Sequence, residues 1–135
     1  MEFLNVQYKS LIRANNGRAH RAGIIFSFGA DYNVTNIDKE ENIVFFDSSI
    51  EFNYGGKWSG AISSGVEYFS KKFFLERNEY NEFWFEVVDI SWYQIDTNFN
   101  IMMYTTIMAL CKETGILISD LEFNEETGTL ILPHI

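Results

Sequence analysis

The sequence has little cysteine and little proline. Cys111 is the single cysteine and Pro133 the single proline among 135 residues. One cysteine cannot form an internal disulfide, which favours a reducing compartment, and its apolar surroundings predict that Cys111 fills space in the core. One proline and nine glycines leave no stretch typical of an interdomain linker. We therefore predict one domain over residues 1–135, a length that can bury one sizeable core.

Long hydrophobic runs are also missing. No uninterrupted apolar run approaches the roughly 18 residues that a membrane-spanning helix needs. The first ten residues, MEFLNVQYKS, lack the basic and apolar regions of a secretory signal. These absences predict a cytoplasmic protein that does not bind membranes.

Residues with the chemistry of catalysis or metal binding are few and scattered. His20 and His134 lie far from Cys111 in the sequence, and we expect both histidines to be solvated. No cysteine or histidine pair has the spacing of a metal site. Glu86 and Asp89 would point to opposite faces of a regular strand, so they cannot form a glycosidase-like pair without a bulge. We predict no catalytic residue, no metal and no cofactor, and hence no enzyme.

Basic residues are almost absent from the C-terminal part of the chain. Residues 1–77 contain nine acids and nine Lys or Arg, whereas residues 78–135 contain ten acids and one base, Lys112. The formal net charge of −9 therefore resides in residues 78–135. A surface of this sign repels nucleic-acid phosphate and anionic lipid, and it attracts basic proteins.

One basic cluster lies near the N-terminus. Its members are Lys9, Arg13, Arg18, His20 and Arg21. A nucleic acid could dock there, but the anionic total favours a solvated turn that discourages edge pairing or attracts the acidic part of another copy.

Apolar periodicity predicts strands at both ends of the chain. Alternation from Leu4 to Ile12 indicates a strand, and NNG at residues 15–17 indicates a hairpin turn into a second apolar run ending at Phe28. ILISDLEF, the turn NEETG and TLILP predict a closing hairpin. Between them, IVFFDSSIEFNY predicts two short strands or one broken strand, with Ile50, Phe52 and Tyr54 on one face.

Two helices are predicted between the strands. Ser59 is the expected cap of the first helix, whose apolar stripe recurs at spacings of four, three and four. The stripe consists of Ile62, Val66, Phe69 and Phe73. Asn98 and Gly115 are expected to start and stop the second helix, which is apolar nearly all round.

The stretch NEYNEFWFEVVDISWYQID, residues 78–96, is apolar on both of its alternating faces. This pattern predicts a long strand that is buried on both sides or bends. The whole sequence therefore predicts an α+β fold: a single two-layer domain with an antiparallel or mixed sheet and two helices packed on it.

Residues 50–115 resemble in part the fourth domain of elongation factor G. That family has a strand, a helix beginning with Gly, a strand close to VVDV and a helix rich in small and apolar residues. Gly65, Val87, Val88 and Asp89 stand at corresponding positions. Thr97 and Asn98 replace the His and Asp-Ser-Ser that usually precede the second helix. The resemblance implies an α+β fold and, as an alternative function, a translation-associated or scaffold module.

In general character the chain is similar to bacterial immunity proteins, which block the toxins of competing cells. It shares their small size, acidity, abundance of aromatic residues and lack of a catalytic constellation. This resemblance implies inhibition of a basic toxin domain, such as a nuclease. Carboxylates of the immunity protein would occlude the toxin's cleft, and one of its aromatic rings would anchor it there.

We therefore predict a partner-binding surface in the acidic part of the chain, with Trp84 or Trp92 as the anchor, whichever is exposed. The predicted surface consists of Glu79, Glu82, Trp84, Glu86, Asp89, Trp92, Asp120, Glu122, Glu125 and Glu126.

Overall fold

A computed structural model describes residues 1–35, 41–48 and 57–135. These residues form a four-stranded mixed sheet, two helices and a separate two-stranded ribbon, so the prediction of an α+β fold is confirmed. The elements are β1 (Glu2–Arg13), β2 (Ala19–Asp31), β3 (Ile43–Asp47), α1 (Ser59–Glu76), β4 (Glu82–Ser91), α2 (Phe99–Thr114), β5 (Glu122–Asn124) and β6 (Thr129–Ile131). The sheet order is β1-β2-β4-β3, and only the β3–β4 pair is parallel.

Both helices pack on one face of the sheet, which we call the inner face. Phe69 and Phe73 of α1 contact Phe83 of β4, with ring centroids 6.1 and 5.1 Å apart. The Thr105 hydroxyl of α2 lies within hydrogen-bond distance of the Ser10 hydroxyl in β1, at 3.0 Å. The phenylalanine-rich core between these layers removes large apolar surfaces from water, and each buried side chain contributes about 1.5–3 kcal/mol.

The first hairpin forms as the sequence predicts, with one change of face. Gly17 has a φ of 87°, which the left-handed turn after Ala14 requires. Leu4, however, is 62% exposed instead of sharing the buried face of Val6. The register of β1 against β2 shifts between Phe3 and Val6. Phe3 therefore points inward instead of Leu4, and its ring stacks on that of Phe28.

A β-bulge divides β4. Phe26 pairs with Val87, whereas Ile25 pairs with Asp89, so Val88 is an extra residue in β4. The strand therefore bends, as one of the two predicted alternatives requires. Its buried residues change from odd to even numbers at the bulge.

Helix α1 buries the predicted stripe, and its packing explains Gly65. A Cβ atom at Gly65 would lie 3.1 Å from both the carbonyl oxygen of Met103 and the Cβ of Thr106 in α2. The absent side chain thus allows close contact between the helices. The predicted cap is wrong by one residue: Trp58 occupies the N-cap position without a side-chain hydrogen bond, and Ser59 is the first helical residue.

Helix α2 begins and ends as predicted. The Asn98 side chain accepts a hydrogen bond from the Ile101 amide at 2.8 Å, and Gly115 closes the helix with a φ of 75°. A Cβ at Gly60 would lie 3.9 Å from the Phe99 ring, while Gly65 faces Met103. Helices α1 and α2 therefore run parallel, with both N-termini at the same end of the sheet.

The predicted closing hairpin is present but short. Strands β5 and β6 have three residues each and form their own ribbon. Residues 116–118, predicted to be part of the first of these strands, are irregular. The predicted strand face with Ile50, Phe52 and Tyr54 lies outside the described residues.

No helix in the described parts of the chain combines the length and hydropathy needed to cross a membrane.

Candidate partner-binding surface

The face of the sheet opposite the helices, which we call the outer face, carries two adjacent aromatic rings. Because Phe83 and Phe85 point inward, Glu82, Trp84 and Glu86 point outward from β4. Phe45 of β3 pairs with Trp84 in the register and is 52% exposed. No helix packs on this face within the ranges that the structure describes. An aromatic pair therefore lies at the surface, flanked by carboxylates.

Gly29 positions the Trp84 indole. The two residues are direct partners across β2 and β4. A Cβ built on Gly29 would lie 2.6 Å from the Trp84 Nε1 atom. The indole therefore packs against the β2 backbone, which leaves it half-buried and restricts its motion.

The bulge at Val88 brings Asp89 to the same face as Glu86. Glu86 pairs with Ser27 and Asp89 with Ile25, and these two β2 residues point to the same face. Ser27 and Ile25 are two residues apart, which corresponds to about 7 Å along the strand. Their partners Glu86 and Asp89 are therefore separated by about the same distance. The sequence pattern did not decide whether β4 contains a bulge. The bulge at Val88 places Glu82, Glu86 and Asp89 together on the outer face.

These three carboxylates have no basic partner among the described residues. The ion pairs found there are Arg21 with Asp96 at 3.0 Å and Lys72 with Glu76 at 3.2 Å. Strands β3 and β4 contain neither lysine nor arginine. The part of the outer face formed by β3 and β4 is therefore anionic, whereas Lys9 of β1 lies on the same face beside Gly23.

Trp92 lies away from this face. Its ring centroid is 5.9 Å from that of Trp58, and the Lys57 ammonium lies 5.5 Å from the Trp92 ring. Trp58 is buried at the start of α1, so Trp92 belongs to the helix side of the sheet end. Glu79 lies exposed in the turn before β4, next to the Glu82 end of the outer face.

The acids of the C-terminal ribbon occupy the inner side of the molecule. Phe123 of β5 packs against Tyr104 of α2 and against the ring of His20. The structure therefore separates Glu122, Glu125 and Glu126 from the outer-face acids by the thickness of the sheet. Asp120 lies exposed in the connection before β5, with a φ of 65°. The ten predicted residues thus do not form one continuous surface.

His20 holds the ribbon and is 2% exposed, so the expectation that it is solvated is wrong. It shares the inward parity of Ala22 and Ile24 in β2, which the hairpin pattern alone did not reveal. Its Nε2 lies 2.8 Å from the Glu125 carbonyl oxygen and donates to it. Arg18 donates to the Glu126 carbonyl at 3.4 Å.

Cys111 is buried in the core. Burial raises the pKa of its thiol from the ordinary value of 9.0 to about 11, so at neutral pH it is the unreactive thiol form. In the parts of the chain that the structure describes, no group of three or more His, Cys, Asp or Glu residues is placed to hold a metal ion.

Sequence reasoning missed Phe45 and Gly29 as parts of the surface. The pairing of β3 with β4 joins segments about 40 residues apart through a parallel contact that no local pattern reveals. A signal was available in the Phe45-Phe46 doublet, because adjacent strand residues point to opposite faces and one of the two must face outward.

No protein-family model matches the chain, and no curated protein is significantly similar to it. One similar solved structure is the crystal structure of a protein from Thermus thermophilus designated ttk003000868, with a TM-score of 0.54 and 15% identity over 82% of this chain. The present chain spans only 15% of that protein's length. At this identity the likeness shows the fold alone.

Proposed function

We propose that the protein is a non-catalytic binding protein that inhibits a basic protein partner through the outer face of its sheet. The observation that carries this proposal is the adjacent pair Trp84 and Phe45, bordered by Glu82, Glu86 and Asp89 without a lysine or arginine on either strand. Interfaces draw most of their binding energy from a few aromatic anchors, while complementary charge raises the association rate.

The partner class that fits this face best is a nuclease-type toxin domain, which would make the protein an immunity protein acting in the cytoplasm. A nuclease cleft that binds phosphates is positive, and carboxylates spaced along β4 can occupy it in place of the substrate. Trp84, held against Gly29, loses little side-chain freedom on binding, which favours its role as the anchor.

The proposal is tested by matched charge reversals. The tagged protein is purified from its own cells, its bound partner is identified by mass, and the partner's cleavage of RNA and DNA is measured. The triple variant E82K/E86K/D89K changes the outer face, and E122K/E125K/E126K changes the ribbon by the same amount, from a net charge of −9 to −3. We expect the first variant to slow association about 10- to 100-fold and to restore cleavage, and the second to do neither.

Trp84→Ala tests the anchor separately. We expect it to weaken binding by about 2 kcal/mol or more through faster dissociation, with little change in the association rate. Equal effects of the two triple variants, or cleavage that stays inhibited in E82K/E86K/D89K, would contradict the proposal.

The second candidate is a translation-associated or scaffold module. It rests on the resemblance of residues 50–115 to the fourth domain of elongation factor G, and the Thermus thermophilus likeness adds only that a similar fold occurs as a small part of a longer chain. In the same purification, this candidate predicts ribosomal components instead of one stoichiometric partner.

A further inference from the structure

Strand β1 lies at an edge of the sheet and is long. It has 12 residues and pairs with β2 alone within the described residues, whereas the other edge strand, β3, has five. Long edge strands present unpaired backbone groups to other chains, and natural proteins usually shorten or cover them. The β1 edge is therefore a site where a further strand can add.

The backbone groups available on this edge follow from the hairpin geometry. The Ala14 amide donates to the Arg18 carbonyl, so even-numbered residues in the second half of β1 point their backbone groups toward β2. Gln7, Lys9 and Leu11 then point theirs away from the sheet. None of these outward groups has a hydrogen-bond partner among residues 1–35, 41–48 and 57–135.

We propose that this edge pairs with β1 of a second copy of the chain, antiparallel and about a two-fold axis at Tyr8. In this register Gln7 lies opposite Lys9 of the partner, both with outward backbone groups, so they form a hydrogen-bonded pair. The bulge at Leu4 and Asn5 lies opposite the partner's Leu11, just as it lies opposite a single residue of β2. The two sheets join into one eight-stranded sheet.

Charge complementarity selects this register. Allowing for the bulge, Glu2 at the start of β1 lies opposite Arg13 of the partner, and the two-fold axis makes this pair twice. A register centred on Lys9 would place the two lysines directly opposite each other, which is destabilising. A register centred on Gln7 would set Glu2 against Leu11 and leave Arg13 beyond the strand end.

A charge-swap series tests the register. Glu2 and Arg13 are both exposed, so their substitution leaves the monomer fold intact. By sedimentation we expect the wild type to dimerise at micromolar concentration, and we expect Glu2→Arg or Arg13→Glu alone to raise the dissociation constant about fivefold or more. The double variant E2R/R13E restores opposite charges, and its dissociation constant should return toward that of the wild type.

Cross-linking tests the same register by distance. Tyr8 opposite its own copy is a non-hydrogen-bonded pair with Cα atoms about 4.5 Å apart, within the range of a disulfide. Tyr8→Cys in a Cys111→Ala background should therefore form a covalent dimer on mild oxidation. Leu11→Cys in the same background is the control, because the two copies of residue 11 lie about 20 Å apart.

Any one of three results would overturn the inference. The first is a wild-type protein that remains monomeric at roughly 100 μM, a hundredfold above a micromolar dissociation constant. The second is an E2R/R13E variant that dimerises no better than the single variants. The third is a Leu11→Cys variant that cross-links as well as Tyr8→Cys.

Discussion

Gly65 shows how a single residue sets the distance between two helices. A methyl group there would meet the backbone and a side chain of α2 at 3.1 Å, whereas Gly60 in the same helix faces open space up to the Phe99 ring at 3.9 Å. The contacts with Met103 and Thr106 show that α1 and α2 pack closely at Gly65.

We predict opposite effects of alanine at these two glycines. Gly65→Ala should lower the free energy of unfolding by about 1–3 kcal/mol, because α1 and α2 must move apart. Gly60→Ala should leave it unchanged or raise it by up to about 1 kcal/mol, since alanine is the better helix former. Denaturant unfolding measures both, and an equal loss in the two variants would refute the packing argument.

The buried thiol of Cys111 makes stability depend on pH in the alkaline range. Its folded pKa of about 11 exceeds the ordinary value of 9.0, so between these values the folded state keeps a proton that the unfolded state loses. The contribution of Cys111 to the free energy of unfolding should therefore be constant well below pH 9 and fall as the pH rises toward 11.

Urea unfolding at pH 8, 9 and 10 checks this dependence, with Cys111→Ala as the comparison. The variant should lose stability less steeply between pH 9 and 10 than the wild type. Some dependence above pH 10 should remain, because burial also raises the pKa of Tyr8, Tyr68 and Tyr104. Identical slopes would show that Cys111 ionises equally in both states.

At the level of elements, the C-terminal ribbon depends on contacts with the rest of the fold. A ribbon of two three-residue strands is not stable alone. His20 donates to the Glu125 carbonyl and packs on Phe123, and Asn100 donates to the Gly128 carbonyl at 3.0 Å. These contacts join it to β2 and α2.

His20→Ala should release the ribbon. The variant loses one hydrogen bond and leaves space beside Phe123, so we expect amide hydrogen exchange over residues 122–131 to accelerate by tenfold or more, with a smaller change in β4. His134→Ala, at an exposed histidine, is the matched control and should leave exchange in the ribbon unchanged. Uniform acceleration throughout the chain would indicate global destabilisation instead.

Elements whose signals are local were predicted correctly from the sequence, apart from the one-residue error at the start of α1, and those that depend on distant pairing were not. The sequence predicted that α2 starts at Asn98 and ends at Gly115, because capping depends on residues within one helical turn. The position of the bulge at Val88 depends on how β4 meets β2, and the inward direction of His20 depends on the parity of β2. A local sequence pattern shows neither how β4 pairs with β2 nor which residues of β2 point inward.

At the scale of the whole molecule, a charge count along the chain does not locate the charge in space. Residues 78–135 hold the net charge of −9, but the fold places Glu86 and Glu122 on opposite sides of the sheet. The predicted acids therefore lie on two separate surfaces, and Trp84 lies on only one of them. Composition predicted the sign of the surface charge, while its distribution depends on the topology.

The parallel direction of α1 and α2 gives the molecule an electrical polarity. Both helix N-termini, which carry partial positive charge, lie at the same end of the sheet, so the two helix macrodipoles add instead of cancelling. A charged neighbour would exert a torque on such a dipole and rotate the protein during the approach, so that collisions occur in a preferred orientation. Substitutions far from any contact could then alter how often an encounter is productive.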